Sequence, residues 1–178
     1  MDKGEKMTTK EYIIGPIIVA VIAMVVQLID QTSILNVSAV GVGFGWVSFQ
    51  AWACYFLAGC TPKGGIRTFN GYLLGCIASI AIMILGGVLS PILGFFGFPI
   101  AVLICVVPVI SLEKSGEWFD FVPALFIGAG AFFGFMSYVP GASYLNATIT
   151  IMIHCVLGLL AGYLTIVFRT KYEMILNK

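Results

Sequence analysis

Charge is what this sequence has least of. Its 178 residues include nine Lys and Arg, eight Asp and Glu and a single His, so charged types make up 10 % against 60 % apolar types. A soluble domain is about 25 % charged and must cover its surface with such groups. So thin a supply excludes an ordinary water-soluble fold and points to lipid as the solvent. The net charge of +1 excludes the broad basic face that a nucleic-acid partner requires. One histidine and no paired carboxylates within an apolar run leave no metal cluster and no catalytic constellation. Phosphate-binding GKS or GKT loops, a GxSxG elbow and an HExxH motif are also missing, so no enzyme and no cofactor is expected. The five cysteines, Cys54, Cys60, Cys76, Cys105 and Cys155, are odd in number and dispersed. Without a CxxC pair or a secreted framework, they read as small buried hydrophobes.

What is present is a series of long apolar runs. A helix that crosses a bilayer needs about 20 mostly apolar residues, and six candidates occur at about 12–29, 42–60, 69–89, 92–110, 121–139 and 148–168. Breakers separate them: DQTSILN, TPKGGIRT, LSP at 89–91, SLEKSGEWFD and VPGASYLN. The runs are continuous rather than alternating, which selects helices over barrel strands. The first run ends in VVQLIDQT, without a small-residue cleavage pattern, and reads as a retained span. The expected fold class is an all-α integral membrane protein with six transmembrane helices in one polytopic domain.

The cations test that count. With the N-terminus inside, the inner segments hold Lys3, Lys6 and Lys10, then Lys63 and Arg67, then Lys114, and finally Arg169, Lys171 and Lys178. That is every Lys and Arg in the chain, as the positive-inside rule demands. Both termini, residues 1–11 and 169–178, are therefore expected on the cytoplasmic side. Pro62 and Gly64-Gly65 are expected to make the turn after the second helix. Residues 86–99 read as a tight outer hairpin, with a re-entrant segment as the alternative. Trp46 and Trp118 suit an interfacial belt, and Glu113, Glu117 and Asp120 a solvated inner loop.

The two halves resemble each other. Tyr55-Phe56 matches Phe132-Phe133 at an offset of 77, Pro16-Ile17-Ile18 matches Pro91-Ile92-Leu93 at 75, and Asn70 matches Asn146 at 76. Three helices per half would make the second half inverted, a 3+3 inverted repeat of the kind found in channels and transporters. Small-xxx-small pairs, Gly71 with Gly75, Gly130 with Gly134 and Gly158 with Gly162, let helix backbones approach. Gly41, Gly43 and Gly45 read as a close-packed helix entrance.

Polar residues within the runs are few, and such groups are expensive in lipid. Gln50, Trp52, Asn70, Asn146 and His154 are the candidates for a solute path. The competing roles are helix caps for Asn70 and Asn146 and an interhelical hydrogen bond for His154. Asp30, beside Gln27 and Gln31, is placed at an outer mouth, in water. With no charge at the centre of a run, a pump built on a buried carboxylate is not expected.

The stretch GWVSFQAWACYFLAGCTPKGG at 45–65, then Asn70 and a small-residue fifth run ending in aromatics, resembles a bacterial inner-membrane family defined as domain of unknown function 1097. Cys60 and Pro62 depart from that family's Gly-Gly-Thr-Lys exit. The resemblance implies a multi-span inner-membrane protein and carries over no functional residue. The leading expectation is a channel or facilitator for a small neutral or weakly ionised solute, such as an amide, ammonia or a short organic acid. A homo-oligomer in the lipid bilayer is expected with it. The alternatives are a non-transporting assembly or partner-binding protein and, third, a proton-coupled transporter using His154.

Overall fold

A computed structural model of the protein describes residues 9–32 and 43–176. Lys3, Lys6, Lys178 and Gly41 lie outside the described residues, as does most of the first expected outer loop. The described chain is all helical: α1 (Thr9–Gln31), α2 (Gly45–Leu57), α3 (Pro62–Leu93), α4 (Gly97–Ser111), α5 (Val122–Tyr138) and α6 (Tyr144–Leu176), with single tight turns at Gly94–Phe96 and Leu112–Lys114. The segments Ile13–Gln31, Pro62–Lys114 and Tyr144–Ile175 are long and apolar enough to cross a membrane, and Val122–Tyr138 is apolar and shorter. Their outer faces are apolar too: Met24, Leu28, Ile92, Leu103, Val107 and Leu160 are all exposed. Such a surface is consistent with a membrane protein.

Local chemistry sets the helix ends, and it moves several boundaries from their expected places. α2 stops at Leu57 because the chain turns left-handed at Gly59 (φ 92°) and Cys60 (φ 58°). The Cys60 amide then donates to the Tyr55 carbonyl and the Gly59 amide to that of Phe56, both at 3.1 Å, which closes the helix end. The turn is thus Ala58–Thr61, and Pro62, Gly64 and Gly65 form the first turn of α3. Thr61 caps that helix, its Oγ1 accepting from the Gly64 amide at 3.0 Å, with Pro62 in the first helical position. Proline is tolerated there because its missing N–H would be unpaired anyway.

The expected break at 89–91 is not one. Pro91 lies inside the last turn of α3, and the reversal comes at Gly94 (φ 55°). α3 and α4 then fold back on each other, Gly97 meeting Ser90 and Gly86 meeting the ring of Phe98. Residues 86–99 thus form a hairpin, with its turn at 94–96. Pro91, expected in the break before the fourth helix, thus belongs to α3, so its alignment with Pro16 does not pair α1 with α4. α6 starts four residues before the expected position, where the Asn146 amide donates to Ser143 Oγ at 3.2 Å.

The helices pair in a definite pattern. α3 packs on α5 and α4, and α2 and α1 pack on α6. α2 and α6 run parallel, since Ser48 and Ala51 meet Gly158 while Tyr55 meets Gly162. α3 and α5 are parallel as well, with Ala124 at Gly71 and with Leu125 and Ala129 at Gly75. The fully buried core between these pairs includes Val47, Ala51, Cys54, Tyr72, Cys76, Phe132 and Cys155. A smaller cluster joins Ile22 and Val26 to Trp52 and Ala161.

The loop after α4 is exposed throughout residues 111–120, as expected of a solvated loop, and it also makes contacts. The segment after α4 folds over the start of α3, where Lys63 Nζ meets Glu117 Oε2 at 2.6 Å and Arg67 Nε meets Asp120 Oδ1 at 2.7 Å. Asn70 Nδ2 donates to the Trp118 carbonyl at 3.2 Å. Each exposed pair contributes less than about 1 kcal/mol, but together the contacts fix the strap on this end.

Glycine is required where backbones touch. A Cβ on Gly75 would run into the Leu125 carbonyl oxygen and one on Gly158 into the Ser48 carbonyl oxygen, whereas at Gly130 and Gly134 nothing lies within 4 Å. The close approach on α5 is instead at Gly128, against the Tyr72 backbone, so among the described residues Gly130 and Gly134 are not packing glycines. Alanine gains about 1 kcal/mol of helix propensity over glycine, while overpacking costs about 1–3 kcal/mol. Gly75→Ala and Gly158→Ala will therefore lower the melting temperature in detergent, and Gly130→Ala and Gly134→Ala will leave it unchanged or raise it.

Candidate functional site

The polar centre of the protein forms where α1, α2 and α6 meet. On α1, Ile22, Val26 and Asp30 recur every four residues and are all buried, so the carboxylate ends an inward-facing stripe. The first amides of a helix have no partner inside it. At α2, Asp30 Oδ1 accepts from the Phe44 amide at 2.9 Å and weakly from the Gly43 amide at 3.4 Å. The positive end of the helix dipole favours an anion there. Gln27 Nε2 donates to the other oxygen, Oδ2, at 3.3 Å. Gly45 leaves room for both side chains, because a Cβ on it would stand 3.1 Å from Gln27 Oε1 and 3.2 Å from Asp30 Oδ2.

Across from Asp30 stands His154 of α6. Its Nε2 lies 3.7 Å from Asp30 Oδ1, and both side chains are only 2 % exposed. Its Nδ1 lies 3.0 Å from the Ser48 Oγ of α2, and Ser48 is itself fully buried. The Phe44 ring covers the imidazole at 6.1 Å and stacks on Phe135 of α5 at 5.0 Å. Above this aromatic pair a groove of about 560 Å³ opens between the start of α2 and the end of α5, bordered by Trp46, Tyr138 and Pro140.

Further into the bundle are hydrogen-bonding atoms with no partner among the described residues. They are Thr150 Oγ1, Trp52 Nε1, Tyr72 OH and Thr68 Oγ1, all buried. Thr150 stands one turn before His154 on α6, Trp52 one turn after Ser48 on α2, and Thr68 and Tyr72 occupy successive turns of α3. A buried helical hydroxyl usually bonds back to the carbonyl four residues earlier. Ser79 does so to Gly75, and Thr165 to Ala161, but Thr68 and Thr150 do not.

A family model described as protein of unknown function (DUF1097) matches residues 17–169, a segment that contains every residue of this polar centre. The chain belongs to the DUF1097 family. No curated protein and no solved structure matches it.

In this DUF1097 member the expected site residues separate. Asp30 is not at a mouth in water; it is buried because α2 needs an acceptor at its N-terminus and His154 lies opposite. Gln50 is exposed on the outer face of α2 and does not line the interior, because Ser48, Ala51, Trp52 and Tyr55 take the inward positions. Trp52 is buried, and its Nε1 has no hydrogen-bond partner among the described residues. Asn70 belongs to the strap through Trp118, and Asn146 sits half-buried in the first turn of α6. Neither asparagine is a cap, since Thr61 and Ser143 hold those positions. Among the described residues no three metal-ligating side chains converge. Sequence reasoning missed Ser48, Phe44 and Phe135. The four-residue spacing of Ile22, Val26 and Asp30 was the available signal that the carboxylate points inward.

Asp30→Ala will leave the Phe44 amide buried without an acceptor, at a cost of roughly 1–3 kcal/mol. Asp30→Asn keeps an oxygen there and will lose less. Thermal unfolding of the purified protein in detergent will rank wild type above Asn above Ala.

Proposed function

We propose that this DUF1097 member is a passage for a small, neutral or weakly ionised solute that forms hydrogen bonds: an amide, ammonia or a short organic acid. The observation that carries this reading is the set of unpartnered donors and acceptors along the bundle interior. Natural proteins leave few buried polar atoms unpaired, and each one left so costs about 1–3 kcal/mol. Thr150, Trp52, Tyr72 and Thr68 lie buried in three helices. A solute that offers hydrogen bonds is the natural partner for such groups.

The Ser48–His154–Asp30 trio argues little for hydrolysis. A nucleophilic serine must be reached by substrate, and Ser48 is fully buried. Its backbone carbonyl lies under Gly158, and the nearby amides of Gly43 and Phe44 are committed to Asp30.

The same proposal includes six crossings of the bacterial inner membrane with both termini in the cytoplasm. Alternating helices would make the second and sixth parallel, and likewise the third and fifth; the parallel α2–α6 and α3–α5 packings support that. An inverted 3+3 repeat is supported by the way the packings exchange. Swapping α1 with α4, α2 with α5 and α3 with α6 turns the α2–α6 contact into α5–α3, and α1–α6 into α4–α3. Leu125 stands 77 residues after Ser48, and each residue's carbonyl oxygen faces the glycine of the partner helix, Gly75 and Gly158 respectively. The exposed apolar faces of α1 and α4 suit a homo-oligomer.

Light-scattering measurements on proteoliposomes will show faster entry of urea, ammonia or formate than empty vesicles allow. Removing one hydrogen bond along the path, by Thr150→Val or Tyr72→Phe, will slow it about fivefold, the equivalent of about 1 kcal/mol. Entry no faster than in empty vesicles for all three solutes would replace this reading with a partner-binding role. For the topology, a fluorescent protein fused to the C-terminus will light up in cells and a periplasmic phosphatase fused there will stay inactive. The reverse pattern overturns the six-span arrangement.

A further inference from the structure

Passage of a neutral solute leaves one arrangement unused. Asp30 and His154 are the two titratable groups of the polar centre, and both are shut away from the surface. Among the described residues no other ionisable side chain faces the imidazole. α1 contributes Asp30 and the neutral Gln27. α2 contributes Ser48 and Phe44, and α5 contributes Phe135. The carboxylate is held by the amides of Gly43 and Phe44 and stands 3.7 Å from Nε2, and a negative charge so placed is the partner that an imidazolium needs inside an apolar bundle.

We propose that Asp30 and His154 together bind one proton, and that its uptake and release are coupled to solute movement; the coupling rests on the passage reading above. In the unloaded state the Ser48 hydroxyl donates to Nδ1, the Nε2–H faces Asp30, and the carboxylate keeps its amide partners. The proton enters at Nδ1, which then donates to Ser48 Oγ, while Nε2–H remains directed at Asp30. No covalent bond is made, and the same proton leaves when the site opens to the other side. The separation of 3.7 Å is longer than a hydrogen bond. A charge-assisted N–H···O contact settles near 2.8 Å. Loading closes this gap, and because Asp30 also holds the amides of Gly43 and Phe44, the change reaches residues that line the groove.

The chain has one histidine, so protein labelled with ¹⁵N-histidine and reconstituted in bilayers reports this imidazole alone. Wild type will show an imidazolium population that grows as the pH falls from about 8 to about 4.5. Asp30→Asn, which retains an oxygen for the α2 amides, will hold about tenfold less imidazolium at the same pH, equivalent to about 1.4 kcal/mol. An imidazole that stays neutral throughout in wild type, or an unchanged population in Asp30→Asn, overturns the proton site. Coupling is read separately in wild-type proteoliposomes with urea, which does not titrate and so is not distributed by a pH gradient alone: an imposed gradient will drive urea beyond equal concentrations, which empty vesicles will not do. Urea entry that ignores the gradient overturns coupling and leaves the passage standing. A titrating His154 in vesicles that conduct none of the solutes overturns the passage, and the coupling with it, and leaves the proton site standing.

Discussion

The contact of Gly158 with the Ser48 carbonyl governs the rest of the architecture. It is made by two backbones with no side chain between them, and only a residue without a Cβ permits it. This approach sets α6 so close to α2 that His154, one turn earlier on α6, meets the Ser48 hydroxyl. The other parallel pair repeats the device with Gly75 against Leu125. In an apolar surrounding the usual hydrophobic gain between helices is small, so close van der Waals packing of this kind carries the association. The polar centre follows from packing geometry rather than from any local motif.

The second constraint is electrostatic. A carboxylate buried in an apolar bundle is tolerated only with hydrogen-bond donors around it. Asp30 obtains them from the start of α2, where amides lack partners in any case. The same arrangement anchors α1, which otherwise packs mainly through the small Ile22–Val26–Trp52–Ala161 cluster. One side chain thus serves as a helix cap, a tether between elements and the charge opposite the histidine.

Much of this was legible in the sequence. Scarce charge and long apolar runs gave a helical protein suited to lipid, and the runs gave six helices in the right order. The runs could not give the ends. Pro91 looked like a break, yet a proline in a final turn leaves the helix intact, and the reversal waited for Gly94. Gly64-Gly65 looked like a turn, although Thr61 and Pro62 already make a helix start. The offset of 77 between Tyr55-Phe56 and Phe132-Phe133 joins two helices that pack alike, α2 on α6 and α5 on α3. The offset of 76 between Asn70 and Asn146 does not join equivalent contacts, since Gly75 and Gly158 are 83 apart. Asp30 was misplaced because charge was weighed by type, and its position on the Ile22–Val26 stripe was not used. Ser48 carries no motif and becomes visible only when α6 is laid against α2.

α2 has 13 residues, a rod of about 20 Å, whereas the hydrocarbon layer of a bilayer is about 30 Å thick. Beside it stand α3 and α6 with 32 and 33 residues, more than long enough to traverse that layer. The short rod is about 10 Å shorter than such a layer is thick, and the groove opens at its starting end. Set in a bilayer, a bundle of this shape would hold a dent there, open to head groups and water.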